Sequence, residues 1–499
     1  MFIILVLIIL IAFSLPKLKA WQLKKVSLII LVYFCSMTGF SHPVISRPME
    51  LQEILIKFPT INEFLLHASY EGHVKTSDKL AVYRFMDAMA DEPVYIAWSK
   101  TGFQESLTLP NGSYWVMDTA QVPIPSTSRG IGTGRERVMD TNQSPINKPI
   151  KYNQIPVSAS PVFILKAAFQ SPVIHSVSLN GVTLEPFASD GDLWLSTWAD
   201  DNNLYSGWGD GRGPLNDAGK IPWVDCGIVK LIGDLPDLKP QAVYRQDETP
   251  PLALNDKPSS LIYLDSCLYG QFHSPLGDAR IGYLSVSKDY GINWNRLGYF
   301  GENEKPPNDA SPWLRKNNSP FRCMFFINMG QNYNLNTDGF VYALGIGSEW
   351  HWMGLRVFLT RVKKENIASY DKYEYFAGYL KGDQPTWTNQ QPLAKPVNGL
   401  ITFGQGSAIY HPGTKRYLFM TDFDVFDAPH PWGPWTYAGS WTTWKTHPGK
   451  KEWQGGYQPG IIAKGTGPDS FWFTVSGQNK KPNITYTYNL GKMILNLKK

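Results

Sequence analysis

The chain has 499 residues, 43% of them hydrophobic and 18% charged, with a formal net charge of +5. It is apolar enough to exclude a disordered polypeptide, and at roughly 150 residues per domain it is too long for one ordinary domain. The positive charge is modest and not gathered into Lys/Arg runs, which reads as a solvated surface and argues against nucleic-acid binding.

Residues 1–41 read as a targeting segment. Residues 1–15 are almost wholly apolar, a basic stretch follows, and a second apolar run covers residues 26–40. Residues 17–41 alone have the basic start, apolar middle and small-residue exit of a signal peptide. Neither apolar run reaches the ~20 residues of a spanning helix. The first run is an upstream start or a membrane-inserted segment. Export is expected, to the medium, the periplasm or the cell surface, with an N-terminal membrane tether as the alternative. Beyond this segment only Cys226, Cys267 and Cys323 remain. They allow one disulfide at most and none sits at metal-ligand spacing, so neither a metal nor another cofactor is expected.

A small accessory domain is predicted over residues 45–175. Leu51, Ile54, Leu55, Phe58, Ile61, Phe64 and Leu65 recur at three- and four-residue steps, one apolar face of a helix. Strand-like runs follow at residues 80–85, 92–99 and 155–164, and the polar, Gly-rich residues 126–147 read as loop. The phrases EPVYIAW and SPVFIL resemble the closing strands of the small β-sandwich found behind many glycosidase barrels, so this domain is expected to be α+β or sandwich-like.

From residue 187 to 495 the texture becomes all-β. Turn signals recur every 8–12 residues between aromatic-rich strands. Ser287, Asp289, Gly291 and Trp294 fit S-x-D-x-G-x-x-W, the Asp-box. In that hairpin Ser and Asp bond backbone amides, Gly supplies a positive φ and Trp packs beneath. It belongs mainly to propeller blades and is structural. Strand clusters fall at 192–232, 259–300, 322–380, 399–440 and 457–495, which predicts five blades.

Several phrases in this span resemble a known family. They are Gly191-Asp192-Leu193-Trp194, Thr197-Trp198-Ala199-Asp200-Asp201, Gly209-Asp210-Gly211, Asp338-Gly339-Phe340-Val341-Tyr342, Tyr373-Glu374-Tyr375-Phe376-Ala377-Gly378, Pro385-Thr386-Trp387 and Pro429-His430-Pro431-Trp432-Gly433-Pro434-Trp435. In order and spacing they are similar to a five-bladed β-propeller family catalogued as a domain of unknown function, some members of which are endo-D-arabinanases. The resemblance implies a propeller glycoside hydrolase, endo-acting on arabinan or another furanose-containing glycan. The chain departs from the family at Leu193-Trp194-Leu195, where an aromatic-proline opening is usual.

Glycoside hydrolysis needs two carboxyl groups on either side of one bond. Asp192 opens the first inner strand, the chain turns at Asp200-Asp201-Asn202-Asn203, and Asp210 lies just past the return strand. An antiparallel hairpin sets those two ends side by side and carries Asp200 and Asp201 to the other end. Asp192 and Asp210 are therefore the candidate catalytic pair, and Asp200 and Asp201 are turn residues. Candidates for substrate binding are Asp265, His273, Asn332, Asp338, His351 (within Trp350-His351-Trp352, a stacking platform), Arg361, Gln405 and Tyr457. The expected partner is a polysaccharide or oligosaccharide bound by a monomer. Two other functions fit the same residues: a non-catalytic carbohydrate-binding propeller, and a polysaccharide lyase using His273, His351 or Arg361.

Overall fold

The computed structural model describes residues 48–57, 65, 68–87, 92–110, 114–118, 147–150, 154–180, 186–215, 221–245, 256–274, 281–298, 311–314, 317, 319–347, 356–380, 383–402, 405–421, 424–441, 453–479 and 486–499. The targeting segment 1–41, most of the loop 126–147 and His351 lie outside the described residues, as does the side chain of Tyr457. No helix among the described residues is long and apolar enough to cross a membrane.

Met49–Lys57 is the one α-helix among the described residues. Leu51 and Leu55, one turn apart, are its buried residues, and Glu50 and Lys57 sit at the dipole ends that favour their charges. Phe58, Ile61 and Phe64, which continue the pattern, lie outside the described residues. The rest is nearly all β. A six-stranded sheet runs Ala68–His73, Leu80–Asp87, Glu92–Ser99, Val162–Lys166, Tyr114–Asp118, Asn147–Ile150. The phrases EPVYIAW and SPVFIL pair with each other, from Val94↔Leu165 to Ala97↔Val162.

Five antiparallel groups of strands follow in chain order, the third and fourth being two halves of one ten-stranded sheet. In the first, Ser189–Asp192 and Ser196–Trp198 both lie on Leu204–Pro214, followed by Val224–Ile232 and Lys239–Arg245. The second is Lys257–Leu264, Cys267–Ser274, Ile281–Ser287 and Asn295–Leu297. The third starts at Met324–Asn328 and runs through Phe340–Gly345, Arg356–Lys363, Glu374–Tyr379 and Pro385–Thr388. The fourth is Ser407–His411, Arg416–Met420, Asp424–Ala428 and Thr436–Ser440. The fifth comprises Trp453–Ile462, Ser470–Asn479 and Tyr486–Leu497, and its outer strand is Ile174–Leu179 from the other end of the chain. That last strand straddles the end of the predicted accessory domain. Residues Met49–Lys499 form one compact unit, and one apolar core joins Leu51, Phe85 and Phe163 of the N-terminal part to Phe325, Phe358 and Trp435.

The first strands of the five sheets meet one another in a closed circuit, the fifth returning to the first. Polar side chains stitch it. Thr197 Oγ1 accepts from Tyr263 N at 3.0 Å, Ser260 Oγ from Phe326 N at 2.9 Å and Ser407 Oγ from Ile461 N at 2.6 Å. Thr474 Oγ1 donates to Trp194 O at 2.8 Å. The third and fourth sheets join through parallel pairing of Ile327 with Ala408 and Asn328 with Ile409. Lys257–Leu264 is buried at every position, as a strand covered on both faces must be, and its Ser259 and Ser260 hydroxyls bond His273 Nδ1 and Phe326 N rather than water.

Ser287, Asp289, Gly291 and Trp294 lie in the turn between Ile281–Ser287 and Asn295–Leu297, the outer two strands of the second sheet. Ser287 Oγ accepts from Gly291 N at 2.8 Å, Asp289 Oδ1 from Asn293 N at 2.9 Å, and Trp294 Nε1 donates to Gly291 O at 2.9 Å. Cys226, Cys267 and Cys323 are all free thiols.

Candidate functional site

The circuit has two ends. At the hairpin end each innermost strand turns back, as at Asp200–Asn203 and Asp265–Ser266. At the opening end the innermost strands begin, at Ser196, Lys257, Met324, Ser407 and Trp453, and Asp192 ends the strand that precedes the first of them.

Asp192 stands opposite Gly209 across the first hairpin. Asp210 follows, and the register Gly209↔Cys226 and Gly211↔Val224 sets Asp225 across from Asp210 on the next strand. Asp210 and Asp225 thus share one row at the opening end, and Asp192 stands in the adjacent one. Like charges facing across a sheet repel. The second sheet supplies the counter-charge: Lys257, its first residue, gives Nζ hydrogen bonds to Asp210 Oδ1 and, at 2.8 Å, to Asp225 Oδ1. The Lys257 side chain is only 8% exposed, against 35% for Asp210 and 19% for Asp225. Burial would push the Lys257 ammonium toward neutrality, but the charges of Asp210, Asp225 and Asp192 outweigh it and hold its pKa well above the ordinary lysine value.

Close packing makes this approach feasible. A Cβ on Gly209 would lie 2.8 Å from Asp192 Oδ1, so only glycine lets that carboxyl lie against the return strand. Asp210 itself holds a left-handed φ of 45°, a conformation a short polar residue tolerates better than most. Around the cluster, Asp190 is ion-paired to Arg212 at 2.7 Å, and Asp256 Oδ2 accepts from Tyr283 O–H. Trp223, 52% exposed, lies beside it with its ring centre 5.6 Å from Lys257 Nζ. Carboxylates beside an exposed aromatic ring can bind a sugar by hydrogen bonding and stacking, and can move protons.

The predicted site residues divide between the two ends. Asp192 and Asp210 are brought together, with Lys257 and Asp225 beside them. His273 and Gln405 are at the same end but buried: His273, paired in register with Lys257, shares a 2.6 Å hydrogen bond with Ser259 Oγ through Nδ1. Asp265, Asn332 and Asp338 fall at the hairpin end and cannot share a ligand with Asp192. Asp265, with φ 49°, forms the turn at the end of Lys257–Leu264. Asn332 follows Gln331, whose Nε2 donates to Ala199 O at 3.1 Å. Asp338 holds its own turn, accepting from Phe340 N at 3.0 Å and Tyr342 O–H at 2.6 Å. Arg361 is consumed by packing, with its guanidinium 3.9 Å from the Trp387 ring centre and its Nε 2.7 Å from Glu374 Oε2. Sequence reasoning missed Asp225 and Lys257. Counting on from Asp210 to the next strand finds Asp225, whereas Lys257 needs the neighbouring sheet.

No family model matches the sequence, and no curated protein does. Among solved structures the chain is similar to a subtype N11 neuraminidase-like protein of A/flat-faced bat/Peru/033/2010 (H18N11), with 10% identity, TM-score 0.28, and 65% of this chain and 94% of that one covered. It is similar to a Parabacteroides distasonis protein assigned as a glycoside hydrolase, with 9% identity, TM-score 0.33, and 65% and 96% covered. A polysaccharide lyase described as an ulvan lyase aligns at 8% identity and TM-score 0.25, over 84% and 81%. Superpositions this loose transfer neither residues nor chemistry.

Proposed function

We propose that the five sheets are the blades of a five-bladed β-propeller and that the chain is an exported glycoside hydrolase acting on a polysaccharide. The observation that carries the reading is the row of carboxylates at the opening end, where Asp192 and Asp210 stand on adjacent strands around one lysine. Trp223 beside it offers a stacking surface. Furanose-containing glycans such as arabinan are the first substrates to test, on the strength of the sequence resemblance.

In this reading one carboxyl gives its proton to the glycosidic oxygen as the C1–O bond breaks. The other, as carboxylate, attacks C1 to form an ester that water later hydrolyses, or takes a proton from a water that attacks C1 directly. Water is the only co-reactant. Purified protein incubated with arabinans and with pyranose polymers should release shorter chains, read by chromatography of the products. Asp192→Asn and Asp210→Asn should abolish release while retaining binding. A wild type that binds glycans and cleaves none would make the chain a carbohydrate-binding propeller instead.

A further inference from the structure

The Lys257 side chain reaches from the second sheet to the carboxylates of the first. Its ammonium has three N–H donors, and it gives one to Asp210 Oδ1 and one to Asp225 Oδ1. A buried charge pair of this kind is costly to assemble. Apolar residues of similar size would join the two sheets at least as well. The groups around the ammonium are Asp190 with Arg212, Asp192 and Asp210 from the first two strands, Asp225 and Cys226 from the third, and Arg245 from the fourth. Asp256 and His273 face it from its own sheet. Arg212 is engaged by Asp190, and Arg245 Nη1 donates to Arg212 O at 2.5 Å with its guanidinium 5.3 Å from the Trp208 ring. Lys257 is ion-paired to Asp210.

We propose that Lys257 is a positioning residue that holds Asp210 as a carboxylate, which makes Asp210 the base or nucleophile and leaves Asp192 as the proton donor. This rests on the hydrolase reading above. The two carboxyls differ in their surroundings. Asp210 has a cation bonded to it and is partly open to solvent, and both favour its charged form. Asp192 is buried and packed against Gly209 on the other side of the hairpin.

The test is the pH dependence of kcat/KM on a polysaccharide that the wild type cleaves. The low-pH limb reports protonation of the base. With Lys257→Met that limb should move to higher pH by about one unit or more, the low end of what a neighbouring cation contributes. Lys257→Arg, which keeps the charge, should leave the limb near its wild-type position. Asp225→Asn removes a competing carboxylate and should move it to lower pH. An unmoved limb in Lys257→Met overturns the proposal. Should that variant not fold, an unmoved or raised limb in Asp225→Asn overturns it equally. These outcomes leave the hydrolase reading intact; a wild type that cleaves no glycan ends both.

Discussion

The two ends of the circuit use the same residue types in opposite proportions. At the hairpin end Asp201 is saturated: Oδ1 accepts from Asn203 N at 3.1 Å, and Oδ2 from Tyr205 O–H at 2.8 Å and Lys230 Nζ at 2.8 Å. Its neighbour Asp200 accepts from Tyr290 O–H at 2.9 Å, and the Tyr290 ring stacks between Tyr205 and Tyr263. Donors from its own turn and the next strand hold Asp201 in place. At the opening end, Asp210 and Asp225 instead share a lysine that comes from another sheet. One arrangement closes a turn; the other gathers carboxylates from different strands at one point. Aspartate identity therefore says little about role, and the origin of its partners says more.

Four substitutions probe that contrast. The largest effect is expected from Asp210→Asn, which should cost at least about 10²-fold in kcat, the low end for a positioned acid or base. Asp201→Asn, the matched change at the hairpin end, should leave kcat per folded molecule unchanged. Equal losses in the two variants, measured on the same substrate, would erase the distinction between the ends. Next comes Gly209→Ala. Its Cβ would press on Asp192 Oδ1 at 2.8 Å and Leu193 Cδ1 at 2.9 Å, and a displaced catalytic group should lower kcat by roughly 10- to 100-fold. A fall in thermal stability with kcat unchanged would remove Asp192 from the site.

Asp201→Asn should instead act on stability, by about 1–2 kcal/mol for a charge-assisted hydrogen bond. Burial would raise the Asp201 pKa, but bonds from Lys230, Asn203 and Tyr205 outweigh it and lower it. A carboxyl whose folded-state pKa lies below its unfolded value stabilises fully above the unfolded value, near 4, and less as pH falls through the folded one. Wild-type Tm should therefore drop more steeply than that of Asp201→Asn below about pH 4. Parallel curves would contradict this. The smallest effect belongs to Asp289→Asn, at an exposed turn; burial would raise the pKa of this carboxyl, but its bonds to Asn293 and Ser287 outweigh that and lower it. Tm should fall by about 1–2 °C in scanning calorimetry, with activity per molecule unchanged. A loss of activity would show that this turn shapes the site.

The extent to which this arrangement was readable varies residue by residue. Asp192 and Asp210 were legible because Asp200–Asn203 is a tight turn with polar residues, and a turn at one end of a hairpin fixes what stands at the other. Asp265, Asn332 and Asp338 also stand near strand ends, but at the hairpin end, which only the alternation of strand direction reveals. His273 has the sequence neighbourhood of a binding residue, but it is buried with Nδ1 bonded to Ser259 Oγ.

By itself the sequence determined whatever depends on near neighbours along the chain. Apolar and aromatic runs between Gly, Pro and Asn turns specify strands, Leu51 and Leu55 specify the buried side of a helix, and Ser287 to Trp294 specify a hairpin from four side chains within eight residues. Tertiary structure alone decided the rest. Ile174–Leu179 completes a sheet with Tyr486–Leu497, about 300 residues away, and Lys257 meets Asp210 from another sheet. Such contacts arise from the order in which sheets pack against one another. No local propensity encodes that order, because it is set by burying apolar faces and matching charges between segments far apart in the chain.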